Sequence, residues 1–458
     1  MRNLWQWPNI TLFLLLGVEL LVMPGYALTQ AQCLAQGNSG ELRLTLNDCV
    51  RIALERNHDI HLANETLAQA ESDITRAWSA MLPFLGAEAS YTGLDEDLAF
   101  SLGPTSLTFM ERDMYKAGVV LRQPIYTGGR LNAARKAAHH ARDAHTQNKQ
   151  SVEQEVIFQV TRAYRTAQVA GAFHKVAVGA VHLLEMHERD AAILVREGAN
   201  PELDLLRTRT ELANVRKELN AAANALDLAF SVLKNLLVID LEEVLSLTEH
   251  LDRPPRPTDD LHTLTRLAVL QRPELSSLKS QVAATEQGLK AAKGAYHPSV
   301  ALEGRYEYIE GDFRELDGDY HWTVGIGAQV PLWNWGETGA GVRKARSQLE
   351  QATIQLQKME DRIRLEVREA FLNLDKAEKN IAAAETALET GREAYRLARA
   401  SYQAGEGTNT DVLDSRMALS RAEANHVQAL FEYNVALAAL ERATGAGGSS
   451  KQEKTKKH

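Results

Sequence analysis

The sequence predicts an α+β membrane protein built from one helix–strand–strand–long helix–helix unit used twice. Three observations predict it. Landmark residues recur at a fixed separation along the chain. Apolar residues in one segment repeat every three or four positions for about 60 residues, and four short segments alternate apolar with polar residues. Of the 458 residues, 24% are charged, 45% hydrophobic and 6% aromatic, which is a folded composition. The balance of 51 basic and 60 acidic residues gives a net charge of -9, so no basic bias suggests a nucleic-acid partner. A mean hydropathy of -0.29 excludes a bundle of apolar transmembrane helices. It does not exclude a β-barrel, whose strands leave a much weaker hydropathy signal.

The first residues read as an export signal. Arg2 supplies a thin positive start, Ile10 to Met23 is apolar apart from Glu19, and Pro24-Gly25-Tyr26-Ala27 offers small residues for cleavage after Ala27. The competing reading is an anchoring helix, but a run of about 14 residues is shorter than the roughly 20 a bilayer requires. A signal peptide is therefore expected over 1–27, followed by an N-terminal segment, 28–44. Gln32 before Cys33 speaks against lipidation. The two cysteines, Cys33 and Cys49, exclude a disulfide-rich scaffold and a cysteine-based zinc cluster. In an oxidising compartment they either pair or both remain thiols. No later stretch looks apolar enough for a membrane helix, so insertion must use strands.

The internal repeat organises the rest. Pro83 and Tyr91 match Pro298 and Tyr306 at an offset of 215. Pro124, Tyr164, Gly198 and Asp204 match Pro331, Phe371, Gly405 and Asp411 at 207. The difference falls between Tyr91 and Pro124, where Asp95 to Met110 is expected to form a longer first loop. A single repeat at so long a period means duplication of a large unit, not a solenoid. Within the second unit a helix is expected from about Thr338 to Gln403. Its seam runs Val342, Ala345, Leu349, Ala352, Leu356, Met359, Ile363, Val367 and onward to Tyr402, alternating steps of three and four as in a coiled coil. Small residues at every second seam position beyond the first turns let a neighbouring helix approach closely. Its counterpart, about Leu131 to Glu197, is less regular. Each would be about 90–100 Å long, more than a globular core needs.

The strands follow from alternation. Tyr320, Trp322, Val324, Ile326, Ala328 and Val330 alternate with His321, Thr323, Gly325, Gly327 and Gln329. Val300, Leu302, Tyr306 and Tyr308 share the polar partners Glu303, Arg305 and Glu307. Tyr115, Ala117, Val119 and Leu121 repeat the pattern in the first unit, and Ala87, Ala89 and Tyr91 repeat it more weakly. Segments of about 9–11 residues with one apolar face fit transmembrane barrel strands, although a soluble half-buried sheet alternates in the same way. The export signal and the aromatic residues near strand ends favour the barrel, with Trp322 towards lipid and Thr323 towards the lumen. Four strands cannot close a membrane barrel, and open edges are not tolerated in lipid, so several chains must share one. The expected organisation is a first repeat over 45–243 with its hairpin at about 84–126, and a Pro-rich linker over 244–258. A second repeat over 259–444 follows, with its hairpin at about 298–333, and then a disordered tail over 445–458. Arg253-Pro254-Pro255-Arg256-Pro257 within the linker cannot be helical.

No reaction chemistry stands out. His139, His140 and His145, like His182 and His187, lack the spacing of a metal site and read as solvated helix faces. Gly325-Ile326-Gly327 lacks the third glycine of a dinucleotide loop, and no serine sits in a Gly-x-Ser-x-Gly elbow. No cofactor, metal or enzymatic activity is expected.

Tyr402-Gln403-Ala404-Gly405 followed by Thr410-Asp411-Val412-Leu413-Asp414 resembles the helix-to-helix tip of the TolC family of outer-membrane efflux proteins. Gln123-Pro124-Ile125-Tyr126 with Gly128-Gly129-Arg130, and Val330-Pro331-Leu332-Trp333 with Gly336, resemble that family's strand-to-helix joints. The likeness spans Leu44 to about Gly445. It implies a homotrimer forming a 12-stranded outer-membrane β-barrel continuous with a 12-helix periplasmic α-barrel. It also implies a passive exit duct in the outer membrane of a Gram-negative bacterium, serving efflux or type I secretion, docked through a periplasmic adaptor (membrane fusion) protein to an inner-membrane pump. The N-terminal segment, the linker and the C-terminal region would gather around the equator of the helical tunnel. The resemblance further implies a periplasmic gate at Asp411 and Asp414, a latch at Asp204 and Tyr402, and an adaptor-docking tip at Gly198 and Gly405. Gly407 stands where the family pattern has a basic residue, so one latch bond would be missing.

Two other classes compete. A secreted coiled-coil structural protein would explain the helices but not the four amphipathic strands. A periplasmic adaptor would carry one helical hairpin between small β-domains, not a duplicated unit.

Overall fold

The computed structural model describes residues 42–446, apart from 103–104 and 313–317. The expected signal peptide, Cys33 and the tail from residue 447 lie outside the described residues. The duplication shows in helix lengths. Helices α1 (Leu46–Arg56) and α2 (His58–Ser79) have 11 and 22 residues, as do α5 (Leu261–Gln271) and α6 (Pro273–Gly294). Helices α3 (Arg130–Arg196) and α7 (Glu337–Gln403) each have 67, and α4 (Glu202–Leu237) and α8 (Asn409–Thr444) each have 36. At 1.5 Å per residue, α3 and α7 are each about 100 Å long.

The buried residues of α7, among them Ile363, Val367, Leu374, Ile381 and Tyr402, fall on the seam read from the sequence and pack against α8. Each aliphatic side chain fully buried there contributes about 1.5–3 kcal/mol. The first 26 residues of α7, Glu337 to Arg362, bury none of their side chains fully within the chain. In α3 one 18-residue window reaches a mean hydropathy of 1.2, contrary to the expectation that no apolar stretch follows the signal. The helix is rich in alanine and valine because it runs between α2, α4, α6 and α8.

Five strands form one antiparallel sheet. Strands β2 (Phe84–Gly93), β4 (Thr105–Thr127), β6 (Ser299–Asp312) and β7 (Asp319–Gln329) lie in that order, and β3 (Leu98–Leu102) pairs with the start of β4. The register aligns Ala87, Val119, Tyr306 and Trp322 across the four strands, and next to them Leu85, Leu121, Gly304 and Val324. Directly opposed residues share a face, so one face is apolar throughout. The other carries a ladder of charges: Arg122 lies 3.1 Å from Glu303, and Arg305 lies 3.1 Å from Glu303 and 3.7 Å from Glu307. The edges β2 and β7 have no partner strand on their outer sides among the described residues.

Two expectations for the strands need correction, a longer first loop over Asp95 to Met110 and a ladder that the joint proline, Pro124, would end before the helix. Asp95 to Met110 is not simply a longer loop, because Leu98–Leu102 and the start of β4 extend the hairpin outward. Nor does Pro124 end its strand. Register breaks between Pro124 and Tyr126 and pairing resumes to Thr127, so the proline sits at a bulge, where its missing N–H is tolerated. The turn that follows requires glycine. Gly128 has φ +63°, and a Cβ there would stand 2.3 Å from the Gly294 carbonyl oxygen, which holds the start of α3 against the end of α6.

Sequence reading missed a second sheet. Strands β1 (Leu42–Leu44) and β5 (Leu245–Leu247) pair in parallel and join the N-terminal segment to the linker. They pack with α1, α3 and α4 in a cluster that includes Tyr164, Leu233 and Cys49. Burial pushes the Cys49 thiol up to about 12. Further along, the linker lies across the second repeat. Arg253 and Arg256 each meet Glu378 at 2.7 Å, and Arg256 meets Asp375 at 3.3 Å. On α8, Tyr433 donates to the Pro254 carbonyl at 2.8 Å and Asn434 to that of Asp252 at 2.9 Å.

Candidate functional site

The two helix-to-helix turns, α3 to α4 and α7 to α8, come together at one end of the helices. Each reverses the chain through a glycine in the left-handed region, Gly198 at φ +75° and Gly405 at φ +78°. The Gly198 and Gly405 N–H groups donate to the carbonyls of Val195 and Tyr402, and the next residues, Ala199 and Glu406, to those of Leu194 and Ser401. Helix C-termini close in this way when the last carbonyls must be satisfied within a tight turn. Nothing lies within 4 Å of a Cβ added at either glycine, so the backbone angle alone selects them.

Beneath the turns sits a buried polar layer. His187 of α3 is 1% exposed, which corrects its reading as a solvated residue, whereas His182 is exposed. Its Nε2 lies 2.7 Å from Oδ1 of Asn409, the first residue of α8, and the Asn409 amide donates to the Asp204 carbonyl at 3.3 Å. With Asn409 oriented so, Nε2 carries the imidazole proton, and the buried Nδ1 has no partner. The Thr208 hydroxyl donates to the same Asp204 carbonyl at 2.9 Å. The Tyr402 ring stands edge-on to His187 with 5.1 Å between centroids. Burial holds the His187 imidazole below its ordinary pKa, against the bond to Asn409, which favours the charged form.

The candidate latch residues each have a partner of their own at the turns. Tyr402 is buried, and its hydroxyl accepts from Asn200 at 2.9 Å rather than bonding to Asp204. Asp204 serves through its backbone carbonyl. Asp190 of α3 joins α7 instead, meeting Arg399 at 3.3 Å and Gln403 at 3.1 Å. Gly407, where a basic latch residue would stand, has its amide bonded to the Ser401 carbonyl and no side chain to offer.

The candidate gate residues stand at the start of α8. Asp411 closes a capping box: its carboxylate accepts from the Thr408 hydroxyl at 2.6 Å and the Thr408 N–H at 3.1 Å, and its own N–H donates back at 3.2 Å. Those two donors, the hydroxyl first, hold its pKa below the usual carboxylate value. Asp414, one turn on, makes no such bond and borders a groove between α4 and α8 with Leu203, Leu206, Leu413 and Met417. Both carboxylates are exposed on the single chain.

A second polar layer lies one heptad up α8. Arg416 is 3% exposed, and its Nε and both Nη atoms have no hydrogen-bond partner. It stands 6.0 Å from the Tyr395 ring centroid and 3.8 Å from Glu423. Burial pulls its pKa down, more than Glu423 restores it. Asn409, Arg416 and Glu423 follow each other at steps of seven, a polar heptad signal that an apolar seam does not reveal. Among the described residues, no group of three or more His, Cys, Asp or Glu side chains is placed to hold a metal ion.

A sequence model of the family described as Outer membrane efflux protein matches residues 49–237 and 264–446. Among curated relatives, the Outer membrane efflux protein BepC of Brucella suis is 26% identical, covering 72% of this chain and 71% of its own length. The Outer membrane protein TolC of Vibrio cholerae is 22% identical, covering 81% and 84%. Among solved structures, the Campylobacter jejuni CmeC outer membrane channel superposes with a TM-score of 0.77 at 20% identity, over 90% of this chain and 88% of that one. The open state of the Neisseria gonorrhoeae MtrE outer membrane channel gives 0.73 at 20%, over 88% and 89%.

Proposed function

This chain belongs to the outer membrane efflux protein family, and from that premise we propose that three copies close a 12-stranded barrel continuous with a 12-helix tunnel. The protein is an outer-membrane channel for efflux. The observation that carries the trimer is the four-strand-wide sheet, apolar on one face and charged on the other, with β2 and β7 unpaired at its edges among the described residues. Unpaired backbone groups cost several kcal/mol each in hydrocarbon, so each β7 edge must find the β2 edge of the next copy. Three sheets of four make a closed barrel of 12 strands, large enough for an aqueous lumen lined by the Arg122, Glu303, Arg305 and Glu307 ladder. The exposed first third of α7 then packs against a neighbouring copy.

The channel is passive. Energy comes from an inner-membrane pump reached through a periplasmic adaptor that docks at the Gly198 and Gly405 turns. Asp411 and Asp414, repeated three times around the axis, form two rings of carboxylates at the closed end. Asp411 is also the capping residue of α8, so its ring position is fixed by the Thr408 bonds. The Asn200–Tyr402 bond and the His187–Asn409 layer tie the two turns and hold that end shut. Size-exclusion chromatography with light scattering in detergent tests the reading: three chains per particle are expected. A stable monomer of native helix content would overturn it.

A further inference from the structure

The strand-to-helix end of the sheet combines exposed aromatics with a concentration of positive charge. The segment between β7 and α7 presents Leu332, Trp333 and Trp335 at 91%, 76% and 90% exposure, and the two indoles pack edge to face at 5.7 Å. Trp335 holds φ +52°, a conformation a β-carbon disfavours, and nothing in the chain covers its side chain. Trp322 and Val324, on the apolar face of the sheet, are exposed as well, at 75% and 66%.

Charge is distributed unevenly along the molecule. In the eight residues nearest the sheet in each of α2, α3, α6 and α7, within about 12 Å of it, there are eight basic residues and two acidic ones in all. The chain as a whole carries -9. Arg130, Lys136, Lys290, Lys293, Arg343 and Lys344 are all exposed, and none lies within ion-pair distance of a carboxylate among the described residues. The opposite end of the sheet reverses the sign, with Asp95, Glu96, Asp97, Glu111, Asp113 and Glu310. An aromatic rim above unpaired cations fits the headgroup layer of a bilayer, where indoles settle at the interface and basic residues attract anionic lipid.

We propose that the Trp333–Trp335 rim and the basic collar beneath it bind anionic phospholipid headgroups in the leaflet facing the helices. This rests on the reading of the sheet as a membrane barrel, and the test separates the two. The full exported chain is reconstituted with Trp78→Phe and Trp322→Phe, so that Trp333 and Trp335 report fluorescence. Phosphatidylglycerol brominated high on its acyl chains is expected to quench them at least about twofold more than brominated phosphatidylcholine at equal mole fraction. Lys136→Gln, Lys290→Gln, Lys293→Gln, Arg343→Gln and Lys344→Gln together should abolish that preference while leaving the oligomer intact on size exclusion. Equal quenching by both lipids overturns the anionic preference. Absence of quenching by either means that another copy of the chain covers the rim, which also overturns it. A protein retaining Trp322 alone serves as the control. Its quenching by both lipids upholds the barrel reading whatever the rim does, and its silence marks the barrel reading as the part that failed.

Discussion

Arg416→Met should make the protein more stable, not less. The guanidinium is 3% exposed with all three nitrogens unpartnered, and its nearest carboxylate, on Glu423, stands at 3.8 Å. At an effective dielectric of about 20, that separation is worth roughly 4 kcal/mol of attraction. Against it stand the several kcal/mol needed to strip water from the cation and about 1–3 kcal/mol for each buried donor left unbonded. Burial is the larger effect at this side chain, and it also pulls the Arg416 pKa down. Methionine keeps the unbranched stem that packs on Tyr395 and removes the charge, and such exchanges typically gain about 1–4 kcal/mol. With about 2.1 cal/mol/K of unfolding entropy per residue, a fold of this size moves by about 1 °C per kcal/mol. Differential scanning fluorimetry of the detergent-solubilised oligomer should therefore show Tm raised by about 1–5 °C. Arg416→Ala, which leaves a cavity, should fall below Arg416→Met. A Tm lowered by Arg416→Met would refute the reasoning, because the guanidinium would then be making interactions that outweigh its desolvation.

Spin labels or lipid-soluble quenchers should reach position 322 and not 323, and the opposite pattern would place the register one residue off. Asp411→Ala with Asp414→Ala should weaken block by divalent or trivalent cations in bilayer recordings, whereas unchanged block would leave Asp411 a helix-capping residue alone. Gly405→Val forces a branched side chain to φ +78° at a cost of about 1–2 kcal/mol or more. It should abolish efflux while leaving insertion and oligomer intact, and loss of the oligomer would make the turn purely structural. For His187 the folded pKa lies below its unfolded value near 6.5, so the unfolded chain binds the extra proton. Stability at the tip should fall as pH drops below about 6.5 and level off below the folded pKa, with hydrogen exchange in α8 rising over the same window; His187→Gln should flatten that dependence.

The sequence was most readable where one periodicity ruled a long stretch. The α7 seam from Ile363 to Tyr402 and the alternation of β6 and β7 both came through because burial on one face leaves a regular imprint. Duplication was readable for the same reason, since paired landmarks such as Gly198 and Gly405 kept their spacing. Shorter features escaped. Three-residue strands such as β1 and β5 have no period to detect, and their pairing depends on chain brought together across some 200 positions. His187 looked solvated because a lone histidine carries no sign of the Asn409 that meets it from another helix. Asp204 and Tyr402 both stand at the turns, but the choice of Asn200 as the tyrosine's partner is set by where the α3–α4 turn places each side chain.

The linker clasp has a mechanical consequence. Glu378 and Asp375 on α7 and Tyr433 and Asn434 on α8 are fastened to the same short extended segment, so this helix pair is pinned at one level along its length. From Glu378 to the last residue of α7 the free arm is 25 residues, or about 38 Å. An arm of that length swung by about 10° about the pinned level carries its end through about 6–7 Å, a displacement comparable to the width of a side chain, while the sheet at the other end stays still. The buried polar layers at Asn409 and Arg416 both lie on the tip side of the pin, and the apolar layers at Leu374 and Ile381 sit at the pin itself. Stiffness and compliance are thus divided along a single pair of helices by where the linker crosses them.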